Sequence, residues 1–214
     1  MHNYRKINWV EIQKQMKLAK EEYWGCFDLG NYNLTEIPAE IFEIDSLSEL
    51  DLSYNRLKNI PTEISQLTNL SYLILDNNKI ETLPEDLTQL TNLYELYLEE
   101  NELVSIPSVI FQLTSLTGLV LSFNQIDKLP ADISRLKNLE SLDLRANNLT
   151  ELPKELFELT NLKYLCLEDN QLEEVSSCIC KLTILENLTL HGNSIQEIPD
   201  CVSELVDLER SFLN

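Results

Sequence analysis

Glycine is scarce in this chain, four residues in 214, which excludes collagen-like and glycine-linker architectures and leaves no glycine-rich loop to cradle a phosphate. Basic side chains are also few: 16 Lys and Arg against 36 Asp and Glu give a formal net charge of −20. A nucleic-acid binder needs Lys and Arg to neutralise phosphate, and an anionic membrane surface attracts the same charge, so neither is an expected partner. No stretch approaches the roughly 20 consecutive apolar residues that span a bilayer. The first ten residues lack the apolar run of a signal peptide. Cysteines number five, an odd count without the spacing of a disulfide framework, so reduced thiols and a cytoplasmic location are the expectation. Histidines number two, and neither His2 nor His191 has an evident Ser or Cys partner for nucleophilic catalysis.

What the chain does have is a period. Leu47, Leu70, Leu93, Leu116, Leu139, Leu162 and Leu185 stand 23 residues apart, and Trp24 occupies the same place one period earlier. Counting each as position 1, apolar residues recur at positions 4, 6, 11, 14, 18 and 21. Asparagine holds position 9 seven times, from Asn55 to Asn193, and all seven prolines fall at position 15. Positions 3 to 7 alternate inward Leu with variable outward residues, the period of a strand. Strands at identical spacing stack as a parallel sheet, and parallel neighbours need a crossover, which positions 10 to 23 supply. Pro at position 15 sits where no backbone donor is needed and starts a short helical turn. At position 9 a carboxamide offers two donors and an acceptor, enough to satisfy buried turn groups of adjacent coils. One repeat cannot bury its leucines alone, whereas stacked repeats share a continuous core.

The pattern L-x-x-L-x-L-x-x-N-x-L-x-x-[LI]-P-x-x-[IL]-x-x-L resembles the leucine-rich repeat family in its 23-residue form, over residues 24 to 207. The fold implied is a right-handed α/β solenoid, a horseshoe arc with a parallel concave sheet. Residues 8 to 23 read as a capping helix, with Asn8 as N-cap, Glu11 completing the cap and Trp9, Ile12, Met16, Ala19 and Tyr23 as the apolar stripe. A helix leading into such repeats is similar to bacterial leucine-rich repeat proteins and to the repeat regions of Roc–COR GTPases. The chain divides into this helix (1–23), eight repeats (24–207) and a partial repeat (208–214) without a polar cap.

In this family the concave face usually binds partners. Positions 2, 3, 5, 7 and 8 of the eight repeats carry twelve acids and two bases, Arg145 and Lys163, which is half the net charge. They also hold six of the sixteen aromatic residues. Position 5 reads Asp28, Asp51, Ile74, Tyr97, Val120, Asp143, Cys166, Thr189, an apolar centre between acids. Tyr72, Tyr94 and Phe123 extend that centre, and Asp76, Glu95, Glu99 and Glu100 border it. A solvated strand face needs no such residues, and an apolar patch ringed by charge is what interaction hot spots look like. The alternative is cross-strand stacking that only stabilises the sheet. The expected function is a non-enzymatic interaction module for a protein or peptide with a basic surface. The resemblance adds small GTPases, phosphatases or a role as a microbial effector in a host, without choosing among them.

Other readings are weaker. A self-assembling structural protein joined through the C-terminal edge is the alternative class. Cys26-Phe27-Asp28 matches the C-x-D of bacterial leucine-rich-repeat ubiquitin ligases in letters only, since there the motif belongs to a separate helical domain. Cys178 and Cys201 share position 17 of successive repeats and should stack, with Cys180 close by; a redox bridge or a metal site are both possible outcomes of that clustering. No cofactor is expected.

Overall fold

The computed structural model describes residues 8–202. A helix, α1 (Trp9–Glu22), precedes eight three-residue strands: β1 (Cys26–Asp28), β2 (Glu49–Asp51), β3 (Tyr72–Ile74), β4 (Glu95–Tyr97), β5 (Gly118–Val120), β6 (Ser141–Asp143), β7 (Tyr164–Cys166) and β8 (Asn187–Thr189). They form one parallel sheet in sequence order, and every pairing joins residue i to i + 23, as in Leu50↔Leu73 or Tyr97↔Val120. The regular strand is shorter than the alternation predicts, but inter-coil bonds continue beyond it. Leu75 N donates to Tyr97 O at 2.9 Å and Asn77 N to Glu99 O at 2.8 Å.

The inward leucines fill the interior: Leu50, Leu73, Leu96, Leu119, Leu142 and Leu165 are all fully buried. On the opposite face the coils carry 3-10 helices such as Thr62–Gln66 and Glu85–Gln89, each with its Pro as N-cap residue. A 3-10 turn rather than an α-helix is what five residues accommodate before the next Leu must return to the core. Where Ser176 replaces the Pro, its side chain accepts the Cys178 N–H at 3.2 Å, so the helix start is kept by a hydroxyl cap.

The Asn column does what its chemistry allows. Asn124 Oδ1 accepts the N–H of Leu103, and its Nδ2 donates to the carbonyls of Leu98, Leu121 and Ser122 at 2.9–3.2 Å. Two of these partners lie in the preceding coil and two in its own, so each Asn stitches neighbouring turns. Geometry for that stitch comes from position 8, which is left-handed in Tyr54, Asn77, Glu100, Phe123, Ala146 and Asp169, with φ between 49° and 55°. Such a conformation costs a residue with a Cβ on the order of 1 kcal/mol, which the Asn bonds offset. A second asparagine column on the far side holds further carbonyls: Asn69, Asn92, Asn138 and Asn161 donate to Asp45, Thr68, Thr114 and Lys137 at 2.8–3.0 Å.

Two expectations are corrected. In α1 only Ile12, Met16 and Ala19 are buried; Trp9 is 44% exposed and Tyr23, the left-handed C-cap residue, is 76% exposed. The helix is tied to the first coil by Lys20–Glu43 at 2.8 Å and Gln13–Glu40 at 3.3 Å, exposed contacts that contribute little. The cysteines also differ. Cys180 and Cys201 form a disulfide with Cα atoms 5.8 Å apart, while Cys178 stays free. The turn Ser177–Lys181 presents Cys180, not Cys178, to the next coil. Among the described residues no group of three His, Cys, Asp or Glu side chains converges for a metal ion. The C-terminal edge at 208–214 lies outside the described residues.

Two outcomes test this fold. Asn124→Ala leaves buried backbone groups without partners and should cost on the order of 3 kcal/mol in urea unfolding. Asn124→Asp, which faces three carbonyls with acceptors, should cost at least as much. Thiol titration of the unfolded chain should give three free thiols without reductant and five with it, matching three free cysteines of five; five in both conditions removes the disulfide.

Candidate functional site

Register, not long-range folding, assembles the concave surface. Because each strand pairs at i + 23, the position-5 residues Ile74, Tyr97 and Val120 lie side by side across β3, β4 and β5, with strands about 4.8 Å apart. All three are half-buried, flanked in the same row by Asp51 and Asp143. Tyr72, Tyr94 and Phe123 are 44%, 45% and 48% exposed. Tyr72 stands on β3 beside this row, Tyr94 just before β4, and Phe123 on the left-handed turn after β5. Among the described residues these rings form no ring–ring pair; the pair that exists is Trp24–Phe27, with centroids 6.4 Å apart. Cross-strand stacking therefore does not account for them.

The acids divide into two groups, a split invisible in composition. In repeats five to eight the concave bases are spoken for: Arg145 grips Asp143 through Nε and Nη2 at 2.6–3.0 Å, and Lys163 reaches Glu140 at 2.6 Å. Asp143 raises the Arg145 guanidinium pKa further and is itself buried beneath it. His191 lies 3.6 Å from Glu168. Repeats one to four carry seven acids, Asp28, Glu49, Asp51, Asp76, Glu95, Glu99 and Glu100, and no concave base. Excess negative charge is thus concentrated around the apolar row.

Two of the predicted border residues are held in place. Asp76 Oδ1 accepts the Glu99 N–H at 2.8 Å. Burial pushes the Asp76 carboxyl up to about 6, and the negative neighbours Glu99, Asp51 and Glu100 add to this against the hydrogen bond from Glu99. Glu95 lies flat over Gly118, where any Cβ would collide with its carboxylate. The Thr117 hydroxyl donates to Glu95 Oε1 at 3.3 Å. Burial raises the Glu95 pKa, opposed by hydrogen bonds from Thr117 and Tyr97. Glu99 is half-buried, and Glu100 is exposed on the left-handed turn. Sequence reading missed Gly118; the signal available was a glycine in a strand position of a chain that has four.

Thiols on this face are not activated. Burial and the neighbouring Glu49 raise the Cys26 pKa, and burial with Asp143 raises that of Cys166, the opposite of what a thiolate nucleophile needs. Among the described residues no helix is long and apolar enough to cross a membrane.

With this geometry in place, comparison with known proteins gives the class. A family model described as a leucine-rich repeat region matches residues 112–210, and a leucine rich repeat model matches residues 27–80. A leucine-rich repeat protein of Leptospira interrogans is 43% identical with a TM-score of 0.79, over 83% of this chain and 45% of that one. Internalin C2 of Listeria monocytogenes shares the fold at 23% identity and TM-score 0.74, over 89% of this chain and 80% of that one. A plant peptide hormone receptor, RGFR1, solved in complex with RGF2, is 29% identical with TM-score 0.62, over 83% of this chain and 34% of that one. This chain belongs to the leucine-rich repeat family. It spans less than half the length of the Leptospira protein and about a third of the plant receptor. A search among curated proteins finds no match.

Asp76 yields a pH test. Its pKa is raised from 3.8 to about 6 on folding, so the folded state binds more protons between these values. Stability contributed by Asp76 therefore falls as pH rises through that window. Asp76→Asn can still accept the Glu99 N–H, so its melting temperature should gain on the wild type from pH 4 to about 6.5 and then level off. A pH-independent difference contradicts the shift.

Proposed function

We propose that this leucine-rich repeat protein is a non-enzymatic interaction module that binds a protein or peptide with a basic surface through repeats three to five of its concave face. The carrying observation is the continuous Ile74–Tyr97–Val120 row, with Tyr72, Tyr94 and Phe123 exposed around it and the acids Asp76, Glu95, Glu99 and Glu100 at its border. Leucine-rich repeat folds serve generally as interaction modules, and the likeness to a peptide hormone receptor supports a peptide-sized partner. A rigid strand face carries little ordering cost when a partner docks. The partner classes implied by the sequence resemblance, small GTPases and phosphatases, gain no support from the geometry. We also propose a cytoplasmic location. Bonded cysteines such as Cys180 and Cys201 are commoner in oxidising compartments, so thiol titration on material from the native source bears on it.

The test is capture of partners by the wild-type chain and by an Ile74→Asp/Tyr97→Ala double variant. Both side chains point away from the leucine interior, so the fold should survive. Specific partners should be lost by the variant and should bind wild type more slowly as salt rises, since electrostatic steering is screened beyond about 8 Å at physiological ionic strength. Retention of every partner by the variant refutes the concave reading.

A further inference from the structure

Asp76 and Glu95 bracket the apolar row, Asp76 just past the end of β3 and Glu95 at the start of β4. Both are partly buried and fixed by hydrogen bonds, Asp76 by the Glu99 N–H and Glu95 by Thr117 while it lies over Gly118. Among the described residues neither takes part in an ion pair, although Asp143 and Glu140 on the same face do. Taking a carboxylate from water without a counter-charge is unfavourable, and a cation from a partner supplies what is missing. The Ser122 hydroxyl, at the same repeat position as Asp76 two coils on, is fully buried and makes no hydrogen bond. Native structures leave few such groups unmatched.

Spacing narrows the ligand. Asp76 is at position 7 of the third repeat and Glu95 at position 3 of the fourth, with Ile74 and Tyr97 between them at position 5. Four residues of strand rise about 13 Å and one strand step adds about 4.8 Å sideways, so the two backbone positions lie roughly 14 Å apart with the Ile74 and Tyr97 side chains between them. An extended peptide has the same rhythm, because its residues i, i+2 and i+4 share a face and span about 13 Å.

We propose that this surface receives an extended peptide segment whose same-face side chains run cation, apolar, cation, with Glu95 and Asp76 taking the two cations and the Ile74–Tyr97 trough taking the apolar side chain between them. The assignment rests on the concave-face reading and adds its chemistry. Gly118 is a specificity element here: lacking a Cβ, it lets the Glu95 carboxylate lie flat and face the partner.

The experiment uses the full chain and two end-blocked, fluorescein-labelled peptides of equal composition, titrated by fluorescence anisotropy. One contains Lys-Gly-Leu-Gly-Lys, the other Lys-Lys-Gly-Gly-Leu. The spaced peptide should bind about tenfold more tightly, and Glu95→Gln, which keeps the shape, should weaken it about fivefold, the scale of one partly desolvated charge pair. Gly118→Ala should weaken it similarly with no change in charge, because the new Cβ displaces only the flexible end of Glu95. Equal affinity for the two peptides, no binding of either, or an unaffected Glu95→Gln overturns the proposal. Such a result leaves the broader reading standing as long as the Ile74→Asp/Tyr97→Ala variant loses partners in the capture experiment. If that variant retains them, both fall.

Discussion

One carboxamide per coil holds this protein in shape. After each strand the chain must turn out of the sheet, and the turn carries backbone donors and acceptors into an interior lined with leucine. In the fifth repeat Asn124 bonds Leu103 and Leu98 in the preceding coil and Leu121 and Ser122 in its own. An apolar side chain there leaves those groups buried and unmatched, and an acid offers acceptors to carbonyls. The left-handed residues at position 8 are tolerated because the Asn that follows compensates for them. Hydrophobic burial drives the coils together, but leucine contacts are not directional. The Asn bonds select which coil position meets which.

From that register the surface chemistry follows with little further folding. A constant offset of 23 converts a column in the sequence into a row on the sheet. Ile74, Tyr97 and Val120 become neighbours for that reason alone, and so do the acids beside them. The row is presented by strands rather than by mobile loops. A partner therefore meets side chains whose backbone positions are fixed in advance, and the electrostatic pattern is as much a product of the scaffold as the apolar one.

The architecture was legible because its causes are local and repeated. Prolines at position 15 mark the starts of the far-side turns, and asparagines at position 9 announce buried bonding. The candidate residues were legible as a set for the same reason. What stayed hidden depends on rotamers and on single departures from the repeat. Arg145 and Lys163 are two bases in any count, yet each is paired with an acid of its own half of the face, Asp143 and Glu140. Glu95 looked like one border acid among several until Gly118 showed where its carboxylate rests. Cys178 and Cys201 share a column, but the turn of the last 3-10 helix brings Cys180 to Cys201 instead. The asparagines at position 23 are harder to read because their column is interrupted, by Ser115 for example, whose hydroxyl reaches the Leu93 carbonyl at 2.7 Å.

The most direct test of the central claim is native-state hydrogen exchange at the amides that donate to the asparagines. Leu57, Ile80, Leu103, Ile126 and Leu149 each send their N–H to an Asn Oδ1 at 2.9–3.1 Å, although all five lie outside regular strands and helices. They should exchange as slowly as the strand amides of β3 to β6, opening only when the whole stack opens. Exchange at the rate of exposed loop amides would mean that the asparagine bonds do not hold the coils in register, and the concave surface would lose its foundation.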